Sequence, residues 1–151
     1  MKRWEKFGFT ALAALVTLTG VVYFWMKYMI QNDDPFALVN HPMQPGMLDA
    51  HLLAAPAFLV LFGIIFNSHI GEKLGQRTPN RRSGLLALAT VVVMTGSGYL
   101  LQVVTGERAR QAALVAHVAS GCVFALAYVV HLTVSARMWR AERALLRTPA
   151  P

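Results

Sequence analysis

The sequence predicts an all-α integral membrane protein, an up-down-up-down bundle of four transmembrane helices. Hydrophobic residues make up 56% of the 151-residue chain and charged residues only 14%, whereas a soluble domain carries about 25% charged residues. Four stretches contain no Asp, Glu, Lys or Arg, and each reaches the length of about 20 residues that crosses a bilayer. These observations exclude an ordinary soluble domain and a disordered chain. The four stretches are 7–26, 50–71, 83–106 and 111–136.

The first predicted span covers residues 7–29 and the second covers 50–71. The first ends in the aromatic residues Tyr23, Phe24 and Trp25 and has no small-residue cleavage site. We therefore expect it to remain attached and not to be cleaved as a secretory signal.

The connection between these two spans, residues 27–49, is the longest on its side. Pro35, Pro42, Pro45 and Gly46 are expected to break any helix within it.

The third predicted span covers 83–106 and the fourth covers 111–136, with a tight turn expected at 107–110. The basic segment 137–147 is expected to continue the fourth helix beyond the membrane. Strands are excluded because four spans cannot close a barrel. No internal repeat is apparent, and residues 1–151 are predicted to form a single transmembrane domain.

Basic residues are concentrated in three segments that four spans place on one side. These segments precede the first span, join the second to the third and follow the fourth. They hold eleven of the fourteen Lys and Arg residues. Because loops rich in Lys and Arg stay in the cytoplasm, both termini are predicted to be cytoplasmic. The formal charge of +7 is thus a topology signal, and no nucleic-acid partner is expected.

Four of the five histidines lie inside the predicted spans: His51, His69, His117 and His131. The first two are 18 residues apart, about five helical turns, so they share one face of their helix. The other two are 14 apart, about 40° short of four turns, so they also share a face. Both pairs are centred on their spans. The spacing therefore predicts His51 opposite His117 in the outer leaflet, and His69 opposite His131 in the inner leaflet.

Two facing imidazoles at each of two depths predict bis-histidine haem, because an iron porphyrin takes axial ligands from both faces. A single histidine would more readily be a hydrogen-bonded residue of the bundle core, but four in register favour two haems. Zinc or copper is the alternative metal, although such sites usually gather three or four ligands. Cys122 is the only cysteine. The chain therefore has no C-x-x-C-H attachment motif, and the predicted haems are non-covalent haem b. Cys122 itself is expected to pack in the core.

Glycine and arginine residues near the predicted haems are further candidate cofactor-binding residues. Glycine lets a porphyrin edge approach the helix backbone closely, and arginine pairs with haem propionates. Glycine is common in membrane helices and arginine marks topology, so either explanation serves for each residue. The candidates are Gly20, Gly96, Gly98, Arg108 and Arg82.

The outer connection contains titratable groups close to the predicted outer haem: Asp33, Asp34, His41 and Asp49. A quinol that is oxidised releases two protons, so these groups are candidate acceptors. A polar loop that simply meets water is the favoured explanation of these groups. His41 is also an alternative to His51 as the outer ligand, although it lies off the predicted helix.

Four short-linked helices with paired histidines resemble the small di-haem transmembrane cytochromes b, such as the gamma subunits of membrane formate dehydrogenases and their relatives. The resemblance covers essentially the whole chain. The step from His117 to His131 is similar to the ligand step in the cytochrome b of quinol–cytochrome c reductases, and the step from His51 to His69 departs from it. The resemblance implies electron exchange between the quinone pool and a partner redox subunit.

We therefore expect a b-type di-haem electron-transfer subunit of an oxidoreductase complex in the respiratory chain of a prokaryotic inner membrane. No catalytic residue is predicted. Its expected partners are membrane lipid, menaquinone or ubiquinone, and a redox protein such as a cytochrome c or an iron-sulfur protein. The alternatives are a haem-free anchor subunit of a larger complex and a small transporter with a histidine proton relay.

Overall fold

The computed structural model describes residues 2–66, 71 and 81–145. The described residues form four helices and contain no strand. The all-helical class predicted from the sequence is therefore confirmed. In chain order the helices are α1 (Arg3–Tyr28), α2 (Gln44–Ile65), α3 (Arg81–Val103) and α4 (Glu107–Leu145).

All four helices begin before the predicted span starts, and two of these differences change the predicted connections. Helix α2 begins at Gln44, and Pro45 and Gly46 lie in its first turn. Proline fits there because the first helical N–H groups have no intrahelical acceptor and its fixed φ suits a helix start. Helix α4 already begins at Glu107, so the turn predicted at 107–110 is wrong. The link between α3 and α4 consists of the three residues 104–106.

The continuation of the fourth helix beyond its apolar part is confirmed as far as Leu145. Arg143 lies over the ring of Trp139, 3.7 Å from its centroid. This cation–π contact joins a basic side chain to an amphipathic aromatic ring one turn earlier. The expected core position of Cys122 is wrong, because its side chain is exposed on α4.

The chain divides into two compact units, Met1–Gly75 and Gln76–Pro151. The first unit is a hairpin in which α1 packs against α2. Phe9 of α1 stacks on Phe58 of α2, with ring centroids 5.0 Å apart. Phe58 is only 2% exposed, so this ring pair forms the centre of the hairpin's core.

The second unit is a hairpin in which α3 packs against α4. Val91 of α3 is 2% exposed, and Phe124 of α4 is 4% exposed. Phe124 stacks on Tyr128, one turn later, with centroids 5.7 Å apart. Val91 and Phe124 thus belong to the buried core of this hairpin.

All four helices are long and apolar enough to cross a membrane. Large apolar side chains also remain exposed on them, including Leu53 on α2 and Leu126 on α4, which are 77% and 70% exposed. Hydrocarbon is a suitable environment for such surfaces. The fold therefore suggests a multi-pass membrane protein.

Candidate functional site

His51 lies in the second turn of α2, and its ring rests against α1. Its Nδ1 atom is 3.0 Å from the carbonyl oxygen of Val16 and 3.3 Å from the hydroxyl oxygen of Thr19. A carbonyl oxygen can only accept a hydrogen bond, so Nδ1 is the donor. In the neutral imidazole the lone pair is then on Nε2, the nitrogen that ligates metals in this tautomer.

The hydroxyl of Thr19 donates its hydrogen to backbone carbonyls of its own helix. It donates to the carbonyl oxygen of Leu15 at 2.8 Å and lies 3.2 Å from that of Val16. Such bonds to the preceding turn are common for Ser and Thr in helices. With its hydrogen used in this way, the oxygen faces His51 Nδ1 as an acceptor, which reinforces the tautomer set by Val16.

Gly20 follows Thr19 and touches the same ring. A Cβ atom placed on Gly20 would lie 2.9 Å from His51 Cε1 and 3.2 Å from Nδ1. No ordinary side chain fits that separation, so a residue larger than glycine would push the imidazole away from α1. Gly20 was predicted to let a porphyrin edge approach the helix. In the structure it lets the His51 ring lie close to α1.

His117 of α4 repeats these contacts in the second hairpin. Its Nδ1 atom lies 2.9 Å from the carbonyl oxygen of Met94 and 3.4 Å from the hydroxyl oxygen of Ser97. The Ser97 hydroxyl donates to the carbonyl oxygen of Val93 at 2.7 Å, so it too faces the ring as an acceptor. A Cβ atom on Gly98 would lie 3.1 Å from His117 Cε1. His117 therefore holds the same tautomer as His51.

His131 lies further along α4 and meets the first turn of α3. Its Nδ1 atom is 3.4 Å from the hydroxyl oxygen of Ser83. A Cβ atom on Gly84 would lie 3.5 Å from its Cε1, which is ordinary contact distance. A third predicted ligand thus also packs against a hydroxyl and a glycine.

His41 has the opposite arrangement. The backbone N–H of Met43 donates to His41 Nδ1 at 3.1 Å, and the N–H of Gln44 donates to the His41 carbonyl at 3.0 Å. Because Nδ1 accepts, a neutral His41 ring carries its hydrogen on Nε2. His41 therefore closes the turn that precedes α2, and its tautomer differs from that of His51.

The three carboxylates that were predicted to lie near the outer haem are exposed: Asp33 and Asp34 in the connection, and Asp49 in α2. Asp34 accepts the backbone N–H of Phe36 at 2.9 Å, which stabilises the loop locally. The proposed role of these carboxylates as proton acceptors stays a prediction.

The other predicted site residues have no described contact with a histidine ring. A Cβ atom on Gly96 would have no atom within 4 Å. Gly96 instead lines an open cavity of about 500 Å³ together with Ala113 and Ala116. Arg82 and Arg108 are exposed. His69, the predicted partner of His131, lies outside the described residues.

Among the described residues, no three His, Cys, Asp or Glu side chains converge on a common point. Every buried side-chain nitrogen or oxygen in that part of the chain has a hydrogen-bond partner. The Nδ1 atoms of His51, His117 and His131 thus each contact the neighbouring helix of their own hairpin.

Sequence reasoning missed the residues that hold the rings, namely Val16, Thr19, Met94, Ser97, Ser83 and Gly84. One signal was available, since Ser83 and Ser97 are 14 residues apart, as are His117 and His131. In an antiparallel helix pair, equal steps bring each serine to its own histidine.

Comparison of the chain with protein-family models, with curated proteins and with solved structures found no match.

Proposed function

We propose that the chain is a b-type di-haem electron-transfer subunit of a prokaryotic inner membrane, with both termini in the cytoplasm. It passes electrons between the quinone pool and a partner redox protein. One observation carries the proposal: His51 and His117, in separate hairpins, are both anchored through Nδ1 to a backbone carbonyl. A histidine that ligates a metal almost always donates its other ring N–H to such an acceptor.

The donor set fits haem iron. Bis-histidine haem takes neutral imidazoles with the lone pair on Nε2, which is the tautomer that Val16 and Met94 impose. Histidines inside membrane helices are costly and serve a function by default. The matched depths in the sequence assign His51 and His117 to one haem, and His69 and His131 to the other.

A bound haem supplies one-electron redox chemistry, and the chain's own residues supply position and environment. The apolar surfaces of the four helices exclude water. The hydroxyl of Thr19 and the carbonyl of Val16 hold the ring of His51 in one orientation. Arg82 and Arg108 are exposed cations that suit haem propionates.

The resemblance to di-haem cytochromes b implies a place in a complex. The described helices carry His51, His117 and His131, and a redox partner would accept or deliver the electrons at the membrane surface. We propose a cytochrome c or an iron-sulfur protein as that partner, with menaquinone or ubiquinone as the second. The outer carboxylates and His41 are proposed acceptors of quinol protons.

Purified protein tests the proposal through its reduced-minus-oxidised optical spectrum and its haem content. We expect b-type bands on reduction with dithionite and on reduction with a quinol, and two haems per chain. A chain purified from haem-replete cells without b-type bands would refute the proposal and leave the haem-free anchor or the histidine proton relay.

A further inference from the structure

The three described histidines of α2 and α4 each rest on a dipeptide of the same type. A hydroxyl residue contacts Nδ1, and the glycine that follows it contacts the edge of the ring. In the two pairs described in full, the carbonyl that accepts from Nδ1 lies three residues before the hydroxyl residue. The dipeptides are Thr19-Gly20 for His51, Ser97-Gly98 for His117 and Ser83-Gly84 for His131.

We propose that each Ser/Thr–Gly dipeptide is a ligand-positioning element: its hydroxyl reinforces the Nδ1–H tautomer of one histidine, and its glycine sets the distance of that ring from the neighbouring helix. The inference rests on the proposed function only where it concerns haem. The selection of the tautomer is a property of the protein without haem.

The hydroxyl is suited to this task because its own hydrogen is already used. Thr19 and Ser97 both donate to the carbonyl four residues earlier, at 2.8 and 2.7 Å. The oxygen that remains can only accept from the ring. A protonated Nε2 with a bare Nδ1 would then place a lone pair against two acceptors, which is electrostatically unfavourable in an apolar surrounding.

Glycine is suited to this position because it has no Cβ atom, and a Cβ atom there would push the histidine ring away from the neighbouring helix. A Cβ atom at Gly20 would approach His51 Cε1 to 2.9 Å, and one at Gly98 would approach His117 Cε1 to 3.1 Å. Either contact would lift the ring away from the carbonyl that holds it. The glycine therefore protects the hydrogen bond of 3.0 Å to Val16 and that of 2.9 Å to Met94.

Helix α3 contains three Ser/Thr–Gly dipeptides, and two of them contact a histidine of α4. Ser83 and Ser97 are separated by the same 14 residues as His131 and His117. Thr90 lies midway between the two serines and donates to its own helix in the same way, at 3.0 Å to Leu86. It has no histidine among its described contacts. Of the hydroxyl–glycine pairs in α3, Ser83-Gly84 and Ser97-Gly98 contact a histidine ring, whereas a Cβ atom on Gly96, which follows Thr95, would have no atom within 4 Å.

Nuclear magnetic resonance of the haem-free protein in detergent micelles, labelled with ¹⁵N at histidine, tests the positioning directly. Long-range ¹H–¹⁵N spectra distinguish a protonated ring nitrogen from one that carries a lone pair. We expect His51 and His117 in the Nδ1–H form. Thr19→Val should shift the His51 resonances towards a mixture of tautomers and leave those of His117 unchanged, and Ser97→Ala should do the reverse.

Two variants keep this test independent of misfolding. Thr19→Ser retains the hydroxyl and should give the wild-type His51 spectrum. Thr90→Val removes a back-bonded hydroxyl that contacts no described histidine and should leave both rings unchanged. The proposal is overturned if Thr19→Val leaves the His51 tautomer unchanged, or if Thr90→Val alters it to the same extent.

Titration with haemin separates this inference from the proposed function. Loss of a residue that orients a metal ligand typically lowers metal affinity by about 10- to 100-fold. We expect such a loss for Thr19→Val and none for Thr90→Val. If wild-type protein binds no haemin while the tautomers respond as described, the proposed function fails and the positioning role stands. If haemin binds and the tautomers do not respond, the positioning role fails.

Discussion

The Nδ1 atom of His117 lies 2.9 Å from the carbonyl oxygen of Met94, on the neighbouring helix of the same hairpin. His51 makes the equivalent contact with Val16 at 3.0 Å in the other hairpin. Both rings are therefore oriented by the neighbouring helix of their own hairpin. An oriented imidazole loses little rotational freedom on ligation, which favours metal binding by preorganisation.

The glycines beside the rings differ in how much space they leave. Their alanine variants should therefore change the free energy of unfolding in opposite directions. Gly20→Ala brings a Cβ atom to 2.9 Å from His51, and we expect a loss of about 1–3 kcal/mol from overpacking. Gly84→Ala makes only ordinary contact with His131, at 3.5 Å. The gain in helix propensity of about 0.5–1 kcal/mol should then prevail.

Unfolding of each variant in mixed micelles measures these differences. Gly63→Ala is the matched control, because a Cβ atom there has no described atom within 4 Å. It should behave like Gly84→Ala. A Gly20→Ala protein as stable as the Gly63→Ala protein would show that His51 does not rest on α1 as described.

The hydroxyls should also tune the electron affinity of the haem that we propose. A hydrogen bond accepted from Nδ1–H makes the imidazole a stronger electron donor to the metal, which favours the oxidised iron. We expect Thr19→Val to raise the midpoint potential of one haem, and Thr90→Val to change neither. Optical redox titration measures this, and a lowered potential in Thr19→Val would contradict the assigned direction of the hydrogen bond.

The aromatic core of the first hairpin should carry much of its stability. Phe58 is 2% exposed and stacks on Phe9, and truncation of a buried phenylalanine typically costs about 3–5 kcal/mol. Phe36, 88% exposed in the outer connection, provides the control. Phe58→Ala should lower unfolding stability by about 3 kcal/mol, while Phe36→Ala should stay within about 0.5 kcal/mol of wild type. Equal effects would contradict the packing.

The charge distribution predicts the orientation in the membrane. Reporter domains that are active only in the cytoplasm should be active when fused after Pro151 or inserted at Gly75, and inactive when inserted at Asp34. Activity at Asp34 and inactivity at the other two sites would reverse the predicted topology. Activity at all three sites would contradict membrane insertion of the first hairpin.

The four helices could be predicted from the sequence because apolar length is a strong signal for a membrane span. Their ends could not. Pro45 was expected to break a helix, but at the first turn it removes an N–H that has no intrahelical acceptor. Glu107 was assigned to a turn because it is charged, although an acidic residue in a first helical turn interacts favourably with the helix dipole.

The two hairpins share an arrangement of buried aromatic residues that was not predicted from the sequence. Phe58 and Phe124 both lie seven residues after an anchored histidine, both are buried, and each stacks on an aromatic ring four residues later. The surrounding positions differ because apolar residues on exposed helix faces are interchangeable. The burial of Phe58 and Phe124, and their ring contacts within α2 and α4, reveal this correspondence.

The two hairpins no longer correspond at the position of His131. Ile65, 4% exposed, lies 14 residues after His51, at the position that His131 occupies relative to His117. The predicted fourth ligand, His69, lies one helical turn further along the sequence and outside the described residues. Its role stays a prediction, and the haem that it would ligate is expected to differ from the other in potential.

Haem content of the His117→Ala protein tests the central proposal most directly. We expect wild-type protein to contain two haems b, and the His117→Ala and His51→Ala proteins to lose the same one of them, while His41→Ala retains both. His117→Met should restore the second haem at a higher potential, because methionine is itself an axial ligand. Two haems retained in both His51→Ala and His117→Ala, or a haem lost in His41→Ala, would contradict the ligand assignment.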